Sequence, residues 1–218
     1  MIDGMDRSDQ HDAHGGVNAM AANATLHCLT GCAIGEIVGL VIGTAAGLSN
    51  PVTIVLSIAL AFVFGFSLSS LPLLQAGLGL GAALSVVVLA DTLSILTMEV
   101  VDNVVMALIP GAMNAGLVNV LFWVGMAISL TAAFFAAFPV NRYLLQRGKG
   151  HALTHEYHGA EPQRLRWIPA LEAPVLATVI AAFVLGGLVV SAADELGATQ
   201  HTHASSSVGR PSPTTPAG

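Results

Sequence analysis

Four side chains that could bind a cation lie close together early in the chain. Cys28, Cys32 and Glu36 follow one another at intervals of four residues, and His27 precedes the first cysteine. Residues four apart share one face of a helix, so successive turns would present two thiols and a carboxylate. Thiolate, imidazole and carboxylate are the ligand types that borderline and soft transition metals select. The simpler alternative is that the cysteines pack as small apolar side chains.

A second group of polar residues lies in a later apolar stretch. Asp91, Met98 and Asp102 are seven and then four residues apart, so they share one helical face, and Glu99 lies on the neighbouring face with Met106. The alternative is that Glu99 and Asp102 occupy a solvated helix end and that the methionines are ordinary core. The predicted metal ligands are His27, Cys28, Cys32, Glu36, Asp91, Met98, Glu99 and Asp102.

Three histidines follow in a more polar segment. His151, His155 and His158 are four and three residues apart, which one helical turn or a compact loop would bring together. Histidine-rich tracts are compositional signals of metal binding. We therefore predict a cytoplasmic metal relay here, with solvated residues at the membrane surface as the alternative.

The composition shows which elements must position these residues. The chain has 218 residues, of which 54% are hydrophobic and 9% are charged, whereas soluble domains have roughly 25% charged residues. These values exclude an ordinary soluble enzyme, and the net charge of -6 excludes nucleic-acid binding, which needs a clustered basic face. We find no phosphate-binding loop, nucleophile elbow or zinc-protease motif, so we do not expect an enzyme.

Apolar runs long enough to cross a bilayer alternate with turn-forming clusters. We predict an all-α integral membrane bundle of about five transmembrane helices at residues 26–190, with a polar tail at 1–25 and a disordered tail at 191–218. We place a helix break at the glycine-rich segment 77–81, while a sixth span with a break near Asp91 stays open. The five runs are Leu26 to Leu48, Val52 to Leu71, Leu78 to Ile109, Leu117 to Phe138 and Pro169 to Val190.

The membrane segment carries negative but no positive side chains. No Lys or Arg occurs in residues 17–139, which contain four carboxylates. A buried carboxylate without a cationic partner takes up a proton or coordinates a cation. Five of the seven basic residues lie in the loop at about 140–168, which predicts a cytoplasmic N-terminus and an outer C-terminus. Glu36 and Asp91 would then lie equally deep on parallel helices and face each other.

Glycines recur every four residues in the first run, at Gly31, Gly35, Gly39 and Gly43. A stripe of small residues allows another helix to approach closely, either within a chain or between subunits. We predict that these glycines pack helices, and we retain a homo-oligomer formed through the stripe as a further prediction.

The segment from His27 to Glu36, with its His-Cys-x-x-Gly-Cys pattern, resembles an uncharacterised family of bacterial multipass membrane proteins that is defined only as a domain of unknown function. The resemblance extends over residues 26–158 and includes Met98-Glu99, Asp102-Asn103 and the segment from Gly148 to Ala152. It implies the inner (plasma) membrane of a bacterial cell as the location, and it brings no established activity.

The residues favour transport or handling of a transition-metal cation, with protons as the counter-ion. Cysteine and methionine favour copper, and the carboxylates favour iron, manganese or zinc. One alternative is a non-catalytic subunit or assembly factor that docks a larger complex through its glycine-rich helix. A third hypothesis is a thiol oxidoreductase that uses Cys28 and Cys32.

Overall fold

The structure is a computed structural model that describes residues 5–75, 77–147 and 173–208. These residues form α-helices and one short 3-10 helix, Ala112–Asn114, with no β-strand among them. The predicted all-α helical bundle is confirmed. Its helices in chain order are α1 (Met5–Ala45), α2 (Asn50–Gln75), α3 (Leu80–Leu108), α4 (Val120–Gln146) and α5 (Ala173–Val208).

The length and surface of the helices identify a membrane protein. Four helices are long and apolar enough to cross a bilayer, and α3 makes a fifth when its two segments, Leu80–Val88 and Asp91–Leu108, are taken as one bent span. These segments meet at 54°. Outward-facing side chains such as Val55 and Val190 are 67% and 69% exposed. Large exposed apolar surfaces of this kind suit lipid rather than water.

Turn residues separate the helices where the sequence predicts breaks. Gly77, between α2 and α3, and Gly111, after α3, have φ angles of 88° and 86°, which lie in the left-handed region that glycine adopts without a steric penalty. At the start of α4, the side chain of Asn119 accepts a hydrogen bond of 2.8 Å from the backbone nitrogen of Leu121. This N-cap satisfies one of the free donors of the first turn.

Three helices extend well beyond the predicted apolar runs. α1 begins at Met5, inside the segment predicted as a polar tail. α5 continues to Val208, inside the segment predicted to be disordered, because no proline interrupts residues 175–210. α4 continues through Pro139 to Gln146. The polar residues that flank an apolar run therefore do not mark the end of the helix, which continues through them.

The glycine stripe packs α1 against α2 in antiparallel orientation. A Cβ atom at Gly31 would overlap the backbone of Gly65, and one at Gly35 would overlap the backbone of Ala61. Its four glycines are buried. The predicted packing role is confirmed, but the stripe is covered within the chain and offers no face to a second subunit. The facing residues of α2 are also spaced by four: Thr53, Ser57, Ala61 and Gly65.

Polar pairs join the helices at both ends of the bundle. At one end, which we call the Thr25 end, Asn141 donates a hydrogen bond of 2.8 Å from Nδ2 to Oγ1 of Thr25. At the opposite end, which we call the Asn50 end, Asn50 Nδ2 donates to Oδ1 of Asn114 at 2.8 Å. The first pair links α1 to α4, and the second links the start of α2 to the 3-10 helix.

Candidate functional site

The polar residues of α1 and α3 meet along one line of contact inside the bundle, which we call the seam. The two helices run parallel, because residues that follow one another along α1 contact residues that follow one another along α3. The seam consists of Cys28, Cys32 and Glu36 on α1 and of Asp91, Glu99 and Asp102 on α3.

At the Thr25 end of the seam, a thiol is enclosed by oxygen atoms. Cys28 is 0% exposed and its Sγ lies 3.6 Å from Oγ of Ser69 on α2. The Asp91 carboxyl and the Ser94 hydroxyl of α3 also interact with this thiol. Both lie just after the bend in α3, so the bend determines where they meet α1.

In the middle of the seam, Cys32 faces Glu99. The two side chains are 2% exposed and interact electrostatically. Ile95 and Met98 of α3 are 0% and 1% exposed and belong to the surrounding apolar core. Along α3, these two apolar residues lie between Asp91, which interacts with Cys28, and the carboxyl groups nearer the Asn50 end.

At the Asn50 end of the seam, carboxyl groups converge. Glu36 and Asp102 lie close enough to share a hydrogen bond when one of them carries a proton, and Glu99 is near enough to act on Glu36. The Ser129 hydroxyl of α4 is within hydrogen-bonding reach of Asp102. Three helices therefore position this carboxyl cluster, which comprises Glu36, Glu99 and Asp102.

Four oxygens of the carboxyl cluster lack donors among the described residues. In the described part of the chain, Oε1 of Glu36, both carboxyl oxygens of Glu99 and Oδ1 of Asp102 are buried without a hydrogen-bond partner. Nearby amide groups donate elsewhere, since Asn103 Nδ2 bonds the Glu99 carbonyl at 2.9 Å and Asn50 bonds Asn114. Buried acceptors without partners are costly, which makes the cluster a site for a donor or a cation from outside the protein.

The three carboxyl groups line a cavity of about 110 Å³, which has room for several water molecules. None of the described residues that line it is Lys, Arg or His. Exposed Asn50 and Met113 lie at its mouth, so the cavity faces the Asn50 end. Four residues that line the cavity were not among the predicted site residues: Ser57, Met113, Met126 and Ser129. In the sequence, the only feature that could have indicated these residues was a polar or sulfur-bearing side chain within an apolar helix or turn.

The register of the seam differs from the predicted one. Asp91 interacts with Cys28, whereas Glu36 interacts with Asp102 and Glu99, so Glu36 and Asp91 do not face each other as the sequence suggested. The alternative that places Glu99 and Asp102 on a solvated helix end is also wrong, because they are 2% and 7% exposed.

The remaining predicted ligands do not complete a chelating site. His27 is buried, and its Nδ1 lies 2.9 Å from the carbonyl oxygen of Asn23 in the same helix. Met98 lies in the apolar core. His151, His155 and His158 lie outside the described residues. Across the described ranges, no group of three or more His, Cys, Asp or Glu side chains is placed to hold a metal ion.

A family model described as Domain of unknown function (DUF4396) matches residues 17–150. The chain belongs to this family. The DUF4396 region contains the whole seam and every residue that lines the cavity, whereas α5 lies beyond it. A search of curated proteins and a search of solved structures gave no match. The predicted resemblance to a family without an assigned activity is confirmed.

The two thiols of the DUF4396 region are free and buried. In native membranes, we expect Cys28 and Cys32 to react with a maleimide at least about tenfold more slowly than a cysteine introduced at exposed Gly116, because enclosed thiols are inert. After oxidant treatment, denatured protein should still label at both cysteines. Fast labelling, with both thiols lost together on oxidation, would instead support the thiol oxidoreductase hypothesis.

Proposed function

We propose that the chain transports a transition-metal cation across the membrane through the seam, in exchange for protons. The observation that carries this proposal is the carboxyl cluster: three acids share one cavity, and its described lining contains no cationic side chain. Their buried oxygens are without partners among the described residues. A mobile cation or a proton is the species that can stabilise such a group within a membrane.

The arrangement suggests how exchange would work. Glu36 and Asp102 can hold a proton between them while the cavity contains only water. A metal cation that enters from the Asn50 end would displace that proton, because carboxylates must be deprotonated to bind a metal. Cys32 and Cys28 then continue the seam toward the Thr25 end, past the apolar layer formed by Ile95 and Met98.

The ligand types define the candidate ions. Copper is our first choice, followed by iron, manganese or zinc, because the seam combines sulfur with carboxylate oxygen. In the proposed topology, the chain lies in a bacterial inner membrane with its N-terminus in the cytoplasm. The carboxyl cavity then faces the outer side, and the histidine-rich loop would receive or supply the ion on the cytoplasmic side.

A flux assay with purified protein in proteoliposomes tests the proposal. Wild-type protein should pass at least one of Cu(I), Fe(II), Mn(II) or Zn(II) and should move protons in the opposite direction. Glu99→Gln should reduce this flux to the level of empty liposomes, because it removes a carboxylate with two buried oxygens that have no partner in the described structure. Asp194→Asn, which neutralises an exposed carboxylate on α5, is the matched control and should transport normally.

Wild-type protein that passes none of these ions, and Glu99→Gln that passes as much as wild type, would each contradict the proposal. Proton flux without any metal would keep the carboxyl cluster as a pathway but remove the metal from the reaction.

A further inference from the structure

We propose that the mouth of the carboxyl cavity is a thioether site for a soft monovalent cation, Cu(I), which Ag(I) can replace experimentally. The site consists of Met106, Met113 and Met126. This inference rests on the proposed transport function and names the ion that the cavity admits first.

The three methionines come from three different elements that converge on one cavity. Met106 belongs to α3, Met113 to the 3-10 helix and Met126 to α4, and all three line the same space as the carboxyl cluster. Met20 and Met98, which are also described, are absent from that lining. Thioether sulfur is a soft, neutral ligand that favours Cu(I) over harder divalent ions.

The methionines lie between the mouth and the acids. Met113 is 37% exposed, whereas Met106 and Met126 are 8% and 3% exposed. Along α3, Asp102 and Glu99 follow about one and two helical turns deeper than Met106. An ion that enters from the Asn50 end would therefore meet sulfur before it meets carboxylate oxygen.

A glycine makes room for one of these sulfur atoms. A Cβ atom at Gly125 of α4 would lie 2.9 Å from Sδ of Met106, closer than real contacts of this kind allow. Any larger residue at this position would require the Met106 sulfur to move away from α4. The same Cβ atom would lie 3.4 Å from Cβ of Ala112, so the 3-10 helix borders this position of α4 as well.

The charge of the cavity also suits a monovalent soft ion. Thioethers add no charge, so a single carboxylate of the cluster balances Cu(I). A divalent ion bound only by hard ligands would need several carboxylates or imidazoles in chelating positions, and the described residues contain no such group of three. Thioether ligands favour Cu(I), so the methionines would bind the ion and the acids would supply the balancing charge.

Methyl NMR of the full-length protein in detergent, with ¹³C-labelled methionine methyl groups, tests the site directly. Titration with Ag(I) should shift the methyl signals of Met106, Met113 and Met126, and it should leave those of Met20 and Met98 in place. Mn(II) and Zn(II) should not produce the same pattern of shifts. Assignment by single Met→Leu variants keeps each apolar volume nearly constant.

Affinity and flux measurements separate this inference from the transport proposal. Replacing all three methionines by leucine should weaken Ag(I) binding at the mouth at least about tenfold, the lower end of the loss that removal of even an outer-shell metal contact causes. Gly125→Ala should weaken it as well, whereas Met98→Leu, a buried control outside the cavity, should not.

Ag(I) that leaves the three methyl signals unchanged, or that binds equally well to the triple variant, would overturn the thioether site. If a divalent metal ion still crosses the membrane in a Glu99-dependent manner, the proposed transport function survives that result. Absence of every cation flux, together with normal Ag(I) shifts, would instead retain the binding site and remove the transport.

Discussion

Gly35→Leu is expected to abolish the folded bundle. A Cβ atom at this position would overlap the backbone nitrogen and Cα of Ala61 and the carbonyl carbon of Leu60. Overpacking against side chains typically costs about 1–3 kcal/mol. Here the obstructing atoms belong to the backbone of α2, which cannot rotate away, so the two helices must separate and the cost exceeds that range. Total stabilities of about 5–15 kcal/mol leave little margin for such a loss.

Size-exclusion chromatography and thermal unfolding in detergent measure this effect. Gly35→Leu should aggregate or elute as expanded protein, whereas wild type should elute as one sharp species. Gly186→Leu is the matched control, because no heavy atom lies within 4 Å of a Cβ at that position of α5. A Gly35→Leu variant that unfolds at the wild-type temperature would contradict the close packing of α1 on α2.

Substitutions along the glycine stripe are expected to reduce stability by different amounts. At Gly43 the three nearest atoms that a Cβ would meet all belong to the side chain of Thr53, and two of them, Oγ1 and Cγ2, move when that side chain rotates. Gly43→Ala should therefore cost less stability than Gly35→Ala. Equal losses at both positions would indicate that the stripe faces something other than α2.

The packing role of the glycines could be predicted from their spacing, but their partner could not. A four-residue repeat shows that a helix approaches closely, yet it does not say which helix. The signal for α2 was present, because Thr53, Ser57, Ala61 and Gly65 repeat the same interval in the next span. Two complementary stripes in consecutive spans favour an antiparallel pair within one chain over an interface between subunits.

The composition of the seam could be predicted, but its register could not. Counting residues from the ends of the apolar runs placed Glu36 opposite Asp91, because it assumed that both helices enter the membrane at the same level and run straight. α1 begins far before its apolar run, and α3 bends by 54° just before Asp91. These features place Cys28 against Asp91, so Glu36 meets the next acidic residues along α3.

The cavity depends on contacts that no local pattern contains. Met113 lies in a 3-10 turn, and Ser129 lies in a span without any charged residue before Arg142. In the sequence, a single serine or methionine in an apolar segment is indistinguishable from ordinary packing. Only the folding of α4 and the turn onto α3 brings these side chains to the carboxyl cluster.

The double variant Glu36→Gln with Asp102→Asn should lose transport and gain stability. Wild type holds two neighbouring carboxyl groups in the bundle, and each has a buried oxygen without a partner in the described structure. The amide pair keeps the shape, carries no charge, and allows Nε2 of one side chain to donate to Oδ1 of the other. Each unsatisfied buried acceptor costs about 1–3 kcal/mol, so the free energy of unfolding should rise by an amount of this order.

Thermal unfolding and proteoliposome flux, measured on the same preparation, give the two readouts, with Asp194→Asn as a control that should change neither. A loss of transport together with a gain in stability distinguishes a functional site from a structural one. Groups kept for packing or helix contacts would lower stability when replaced, whereas groups kept to receive a cation are costly until the cation arrives. A double variant that is both less stable and inactive would assign the carboxyl cluster a structural role, and one that still transports would place the ion pathway elsewhere in the bundle.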